Sequence, residues 1–236
     1  MKYLTMLAIV KSEEPRYLEE WVAHHLKHGV EQVYLLSHLP NDKPIPSMDK
    51  VQVTEVPSPR IQTVYYHQAL QTIDSRWCLV IDADEFVVCN KPLVEIMPAY
   101  EAHEALGIHW LIFGSSGLKN KVFPVHGSYH WRAPFDYWSN RHIKSVVNPA
   151  KVPNTLFNPH HLNVETVDEQ CRPLDGPLSD YCGGVVRINH YYTKSEEDWL
   201  DKVARGRVDT DLPMTRRCFE QIDNASTVYE ADPTII

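Results

Sequence analysis

Short apolar runs and an amphipathic stretch alternate in the first half of the chain, and this order constrains the fold more than any other feature. Residues 3–10 predict a strand, and a helix follows between Pro15, which suits a first helical turn, and Gly29, where a helix would stop. Residues 32–36 and 51–56 predict two further strands. Strand, helix and strand in this order are typical of α/β proteins, so the sequence predicts a mostly parallel central sheet flanked by helices, a Rossmann-like fold.

Two aspartates one residue apart follow the next apolar run. A second predicted helix, 61–74, leads into the apolar residues 77–81, which end in Asp82 and Asp84. Side chains two apart in an extended chain point the same way, so we expect both carboxylates to face one site and Ala83 to face away. The alternation places them at the carboxyl end of a parallel strand, where open α/β sheets bind ligands.

The chemistry of such a pair favours a divalent ion. Two convergent carboxylates repel each other unless a cation lies between them, and Mg²⁺ or Mn²⁺ is commonly held by one or two carboxylates together with substrate phosphates. An acidic turn at the end of a strand is the alternative, because the chain has 31 acidic residues and a second such pair, Asp209 and Asp211, that no apolar strand precedes. The metal hypothesis therefore rests on the setting of Asp82 and Asp84 rather than on their spacing.

The middle of the chain continues the pattern less regularly. Residues 92–102 predict a helix, and residues 106–113 and 142–147 predict strands. Two glycines flank Ser115 and Ser116 directly after the first of these strands. That arrangement suits either a tight turn beside a ligand or a plain turn.

A basic helix near the end of the chain is a second candidate binding element. Residues 185–192 predict a strand, and Ser195, followed three residues later by Asp198, predicts a capped helix start. Lys202 and Arg205 are three apart and share a face of this helix. Such a face is usually solvated, and binding of a pyrophosphate group is the alternative in a chain with a candidate metal site.

Composition restricts the class of protein. The 236 residues are 43% hydrophobic and 23% charged, which suits one globular domain. A formal net charge of −8 and a pI near 5.9 argue against a nucleic-acid binder. Five scattered cysteines without a Cys-x-x-Cys pair favour reduced thiols in the cytoplasm. No run approaches the roughly 20 apolar residues that cross a bilayer, so we expect membrane contact to be peripheral at most, at the inner face.

Short motifs also occur in a fixed order along the chain. They are residues 8–13, 18–21, 24–26, 29–30 and 81–86, Trp110, residues 113–117, 144–145, 148–149, 159–160 and 188–195, Lys202 and residues 205–206. As a set they resemble glycosyltransferase family 92 and its bacterial relatives, a branch of the family-2-like GT-A enzymes once called domain of unknown function 23. The chain departs from the family at Ser12, where the family usually has Asn.

This resemblance implies a GT-A nucleotide-sugar-binding fold in a single domain. The domain would cover residues 1–236, with a nucleotide-sugar-binding half at 1–117 and an acceptor half with C-terminal helices at 118–236. The implied activity is metal-dependent, inverting transfer of a hexose from a nucleotide sugar, UDP-hexose above all, to a hydroxyl of a glycan, lipopolysaccharide or glycoconjugate acceptor. The implied cofactor is Mn²⁺ or Mg²⁺.

The resemblance also implies roles for individual residues. The metal ligands would be Asp82, Asp84 and His190, although a structural strand histidine is the simpler interpretation of His190 without the resemblance. The donor-binding residues would be Lys11, Glu13, Asp82, Ser115, Lys202 and Arg205, whose cations stabilise the charge that develops on the diphosphate. No residue stands out as the catalytic base, and Asp136 and Glu165 are the candidates.

Two other classes of protein also suit an α/β sheet with metal-binding acids. One is a nucleotidyltransferase that makes nucleotide sugars, although such enzymes usually have a glycine-rich phosphate loop after the first strand and this chain has Lys11, Ser12 and Glu13 there. The other is a carbohydrate-binding module that keeps the fold without turnover. The three classes differ in whether nucleoside diphosphate, pyrophosphate or neither is released.

Overall fold

The computed structural model describes residues 1–57, 62–155, 158–206 and 213–236. Its strands are β1 Lys2–Val10, β2 Gln32–His38, β3 Val51–Val56, β4 Ser75–Val80, β5 Glu85–Cys89, β6 Ala105–Ile112, β7 Trp131–Arg132, β8 Ile143–Val147, β9 Thr166–Val167, β10 Pro173–Leu174, β11 Val186–His190 and β12 Val228–Tyr229. Its α-helices are α1 Pro15–Lys27, α2 Gln62–Leu70, α3 Leu93–Ile96, α4 Glu196–Arg205 and α5 Arg216–Ala225.

The central sheet contains ten of these strands. Strands β3, β2, β1 and β4 form a parallel run in that order, as the alternation predicts. Strand β8 lies antiparallel between β4 and β6, and β9 and β10 continue the sheet beyond β6. Strand β11 pairs parallel with β6 and antiparallel with β5. The predicted α/β class, a mostly parallel sheet flanked by helices, is confirmed.

Both faces of the sheet are buried. Leu4, Met6 and Ala8 of β1 belong to one apolar cluster, which α1 covers, and Leu7 and Ile9 belong to another, which α2 covers. Because side chains alternate along a strand, this division explains why β1 is apolar at nearly every position. The carboxyl ends of the parallel strands therefore remain as the open edge of the sheet.

Two of the differences from the sequence prediction lie in the middle of the chain. The helix predicted over residues 92–102 is α3 followed by a 3₁₀ turn at Met97–Tyr100. Pro98 accounts for this, because proline lacks an N–H and its ring clashes with the preceding helical turn. Strand β5 was not predicted, since its partner β11 lies about a hundred residues further along the chain.

Two findings concern the setting of the protein. In the described parts of the chain, no helix is both long and apolar enough to span a membrane. All five cysteines lie in described residues, and none of them forms a disulfide.

Four histidines pack together where the end of α1 meets the loop before β7. The ring of His24 lies 4.9 Å from that of His25, 4.8 Å from that of His28 and 4.6 Å from that of His126, measured between centroids. Burial lowers the pKa of all four, to about 3 for His25 and about 4 for His126. These side chains are therefore neutral in the folded protein at neutral pH.

We expect the free energy of unfolding to fall as the pH drops from about 6.5 to 4. The unfolded chain binds protons on these histidines near pH 6.5, whereas the folded protein does not, so each contributes up to about 1.4 kcal/mol per pH unit in this window. Urea denaturation at several pH values measures the slope. His126→Asn should make that slope shallower by the contribution of about one histidine. An unchanged slope would contradict this account.

Candidate functional site

A cavity of about 240 Å³ opens at the carboxyl edge of β1 and β4. It brings together most of the residues that the sequence analysis assigns to a site, namely Lys11, Glu13, Asp82, Asp84, His190, Lys202 and Arg205. These residues come from both of the predicted halves of the chain. The other lining side chains include Ile9, Gln62, Trp110, Lys144, His160, Tyr192 and Met214.

The two aspartates lie in a turn rather than at the end of an extended strand. Strand β4 ends at Val80, and the N–H of Asp82 donates to Glu85 Oε2 at 2.9 Å while the N–H of Glu85 donates back to the carbonyl of Asp82 at 3.1 Å. Both aspartates line the cavity, and Ala83, which also lines it, packs against the main apolar cluster. The expected position at the end of the strand is right, although the residues lie in a turn and not in an extended chain.

Asp84 is held between a lysine and a histidine. Its Oδ2 accepts from Lys202 Nζ at 2.7 Å, and its Oδ1 lies 3.4 Å from His190 Nε2. Burial alone would raise the pKa of Asp84, but Lys202 and His190 outweigh it and hold the pKa well below its usual range. Burial lowers the pKa of His190. At neutral pH the site thus contains an ionised carboxylate beside a neutral imidazole.

Asp82 faces a different cation, Lys144 of β8. Lys144 Nζ donates to Asp82 Oδ2 at 2.7 Å and lies 3.7 Å from Glu85 Oε1, with only 1% of the lysine side chain exposed. Burial alone would lower the pKa of Lys144, but Asp82 and Glu85 raise it above its ordinary value. Burial raises the pKa of Glu85 well above its usual range. One feature of the sequence could have identified Lys144 as a site residue, namely a single cation inside a mostly apolar strand. Such a cation is buried and therefore requires a carboxylate partner.

The third ion pair joins the loop after β1 to the end of α4. Arg205 Nη1 lies 2.6 Å from Glu13 Oε1. Helix α4 begins with the predicted capping box, in which Ser195 and Asp198 each bond the other's backbone N–H. This start fixes the helix so that its last turn delivers Lys202 and Arg205 to the cavity, where their side chains are only 15% and 18% exposed and do not form a solvated face.

Aromatic rings form one wall of the cavity. The ring of Trp110 lies 4.3 Å from that of His190, 4.8 Å from that of His142 and 5.0 Å from that of His160, measured between centroids. Burial, and then the nearby Lys144, lower the pKa of His160 to about 3. Trp110 Nε1 is buried without a hydrogen-bond partner in the described residues. Of these rings, only that of His190 was given a specific role from the sequence.

Three predicted site residues lie outside this cavity. The N–H of Ser115 donates to Asp223 Oδ1 at 2.7 Å, and its hydroxyl accepts from the N–H of Gly117, so the segment is a plain turn. Asp136 is exposed, and the Glu165 side chain is 67% exposed beside His103. Asp209 and Asp211 lie outside the described residues. Neither candidate base therefore reaches the cavity.

Two of the three predicted metal ligands come together. In the part of the chain that the structure describes, no group of three His, Cys, Asp or Glu side chains is arranged to hold a metal ion. Asp84 Oδ1 and His190 Nε2 face each other at 3.4 Å, whereas Asp82 turns to Lys144. A carboxylate oxygen and an imidazole nitrogen at this separation suit a divalent ion that takes its other ligands from water and substrate phosphates. The side chains fit a two-ligand site at Asp84 and His190, without Asp82.

Comparison with known proteins gives likeness at the level of the fold. No family model and no curated protein matches the chain, so the resemblance to family 92 stays a prediction. A 4-diphosphocytidyl-2C-methyl-D-erythritol synthase from Anaerococcus prevotii is 9% identical, with 75% of this chain and 90% of that one covered at a TM-score of 0.40. HddC from Yersinia pseudotuberculosis, complexed with GMP-PN, is 13% identical. The match covers 64% of this chain and 75% of that one at a TM-score of 0.36. Rv0371c from Mycobacterium tuberculosis, complexed with manganese, is 14% identical at 0.36; the match covers 46% of this chain and spans 65% of that chain's length.

These comparisons contradict the predicted glycosyl transfer. None of the three structures is named as a glycosyltransferase, and the one whose name states a reaction makes a diphosphocytidyl compound. Hexosyl transfer to a glycan acceptor is therefore wrong as the main interpretation.

Proposed function

We propose that the protein is a nucleotidyltransferase that makes a nucleoside-diphosphate sugar from a nucleoside triphosphate and a sugar phosphate. The observation that carries this proposal is the number of cations that line the cavity and their pairing with carboxylates. Among the described residues, four cations line it, Lys11, Lys144, Lys202 and Arg205, and three of them hold a carboxylate at 2.6–2.7 Å. Phosphate groups of two substrates match this number of cations.

The carboxylates of the cavity support the same reaction. Each of the three that line it, Glu13, Asp82 and Asp84, is paired with a cation, so none stands free in the described residues to take a proton. Transfer to a sugar hydroxyl needs such a base. A phosphate monoester needs none, because its second pKa is about 6 and it is already a dianion at neutral pH.

The reaction balances without a further group. An oxygen of the sugar phosphate attacks the α-phosphorus of the triphosphate and forms a new P–O bond. The bond from the α-phosphorus to the bridging oxygen breaks, and pyrophosphate leaves with the electron pair. Lys202 and Arg205 stabilise the negative charge that builds on the leaving group, and Lys144 keeps Asp82 in place. A divalent ion bound at Asp84 and His190 would neutralise further phosphate charge.

The product class and location follow from the same argument. A nucleoside-diphosphate hexose is the type of molecule that the sequence analysis named as a donor, here made rather than consumed. Five cysteines without a disulfide favour a reducing compartment such as the cytoplasm.

Release of pyrophosphate tests the proposal. The protein would be incubated with Mg²⁺ or Mn²⁺, each of the four nucleoside triphosphates and a panel of hexose 1-phosphates. We expect pyrophosphate and a nucleotide sugar from one combination, and incorporation of labelled pyrophosphate into the triphosphate in the reverse direction. Nucleoside diphosphate released from a nucleotide sugar without pyrophosphate would overturn the proposal, and binding without either product would indicate a module without turnover.

Lys202→Met should weaken triphosphate binding by about 1.5–3 kcal/mol, because a charged hydrogen-bond donor to phosphate is lost. Calorimetric titration of the triphosphate measures the change. Lys91→Met is the matched control, since Lys91 is exposed and does not line the cavity. Equal affinities of the two variants would show that Lys202 pairs with Asp84 and does not bind the triphosphate.

A further inference from the structure

A second, smaller cavity of about 20 Å³ adjoins the first. Glu13, Lys202 and Arg205 line both cavities, so the two share a wall. The loop after β1, Tyr17 of α1, Lys43 of the loop after β2, the residues just before α4, and Asp198 and Asp201 of α4 itself form the rest of the smaller one. Its size admits one small polar group rather than a sugar ring or a base.

Lys194 is a buried cation in this second cavity that forms no ion pair with a described residue; Asp84 and Glu13 act on it only from beyond bonding distance. Lys194 is 6% exposed. Among the described residues, no carboxylate or carbonyl oxygen lies at hydrogen-bonding distance from its Nζ. The nearest contact recorded for Nζ is the ring of Tyr17, at 5.3 Å to the centroid. Burying an unpaired ammonium is costly. Lys194 thus differs from Lys202 and Arg205, which hold carboxylates at 2.7 and 2.6 Å.

The neighbouring residue has an unfilled donor as well. Thr193 is 1% exposed, and its hydroxyl is buried without a hydrogen-bond partner in the part of the chain that the structure describes. It lines the same small cavity as Lys194. Two adjacent side chains therefore present donors to one space, and a ligand rich in acceptor oxygens would satisfy both.

The carboxylates around this space are already engaged. Asp201 accepts from Lys121 at 2.7 Å and from Lys43 at 3.2 Å. Asp198 accepts from the hydroxyls of Ser195 and Tyr17 at 2.6 and 3.1 Å. Asp201 is thus paired with two lysines, whereas Asp198 is held by hydroxyls. Among the described cations that line this space, Lys43, Lys202 and Arg205 each have a carboxylate within 4 Å and Lys194 has none.

We propose that the second cavity binds the terminal phosphate of the nucleoside triphosphate, and hence one end of the pyrophosphate product, with Lys194 and Thr193 as its donors. This inference rests on the proposed nucleotidyl transfer. The shared wall allows a polyphosphate chain to pass from Lys202 and Arg205 into the smaller space. The site would then distinguish a triphosphate from a diphosphate, because only the longer chain reaches it. The phosphate of the sugar phosphate is the other possible source of such a group.

Binding of simple phosphates to the whole protein tests the proposal without knowledge of the base. Inorganic pyrophosphate, tripolyphosphate and a hexose 1-phosphate would each be titrated into the wild type, Lys194→Met and Thr193→Val. We expect Lys194→Met to weaken pyrophosphate and tripolyphosphate binding about 10- to 100-fold and Thr193→Val to weaken it several-fold. Hexose 1-phosphate should bind as in the wild type. Lys151→Met, which removes an exposed cation paired with Glu104, should bind all three ligands normally.

The outcomes separate this inference from the proposed function. Unchanged pyrophosphate binding in Lys194→Met and Thr193→Val would overturn the subsite, and so would a loss confined to hexose 1-phosphate. If the wild type shows no pyrophosphate exchange but its pyrophosphate affinity depends on Lys194, the phosphate subsite stands and nucleotidyl transfer fails. Circular dichroism checks folding, and Thr193→Val, which keeps the side-chain shape, carries the test if Lys194→Met is unfolded.

Discussion

Asp84→Asn should lower the rate of pyrophosphate release by about 10²–10³-fold, the usual cost of removing one charge-stabilising group from an active site. The amide keeps the volume of the side chain but cannot balance the charge of Lys202, which lies 2.7 Å from Asp84 Oδ2. It also removes the anionic oxygen that, with His190, fits a divalent ion. Initial rates at saturating triphosphate and sugar phosphate measure the effect.

The control for this variant is a matched change on the surface. Asp180→Asn alters a side chain that is 97% exposed, and we expect its rate to equal that of the wild type. Thermal unfolding would show whether Asp84→Asn remains folded. A folded Asp84→Asn protein with a rate within about threefold of the wild type would remove Asp84 from the mechanism.

Lys144→Met should lower the free energy of unfolding by about 1.5–3 kcal/mol, the range for losing a hydrogen bond between charged groups, because Asp82 keeps some contact with solvent. Lys144 is almost fully buried on β8, between Asp82 at 2.7 Å and Glu85 at 3.7 Å. Methionine fills a similar volume but leaves both carboxyl groups without a cation. Urea denaturation measures the change, and an unaltered m-value would show that the unfolded state is the same.

A second substitution isolates the cause of this loss. Glu85→Gln in the Lys144→Met background should recover part of the stability, because it removes the buried carboxyl that lacks a partner. Lys151→Met removes an exposed lysine that lies 3.6 Å from Glu104, and should cost less than about 1 kcal/mol. A loss below 1 kcal/mol in Lys144→Met would mean that the pair contributes little beyond packing.

Local sequence patterns were sufficient to predict the elements of the first half of the fold. Strands β1 to β4 and helix α1 lie where apolar periodicity, Pro15 and Gly29 place them, because each of these signals acts over a few residues. The start of α4 was equally accessible, since a capping box involves only Ser195 and the three residues that follow. Strand β5 was not, because a strand is defined by its partner and β11 is distant in the chain.

The candidate site could be predicted only in part for the same reason. Asp84, His190 and Lys202 were singled out by residue type and motif, and the fold brings them together. Lys144 was not, because its role depends on β8 entering the sheet antiparallel beside β4, which local sequence does not determine. Asp136 was chosen for its chemistry alone, and the fold leaves it exposed.

The cavity draws its walls from almost the full length of the chain, from Ile9 of β1 to Met214 before α5. No short segment can form it, so a ligand binds the complete fold and not the unfolded chain. Mass action then raises the stability of the whole protein by about 2.7 kcal/mol when the free ligand is at 100 times its Kd. Proteases act on unfolded chains, so we expect the cellular lifetime of this protein to lengthen when its substrate is plentiful and to shorten when it is scarce.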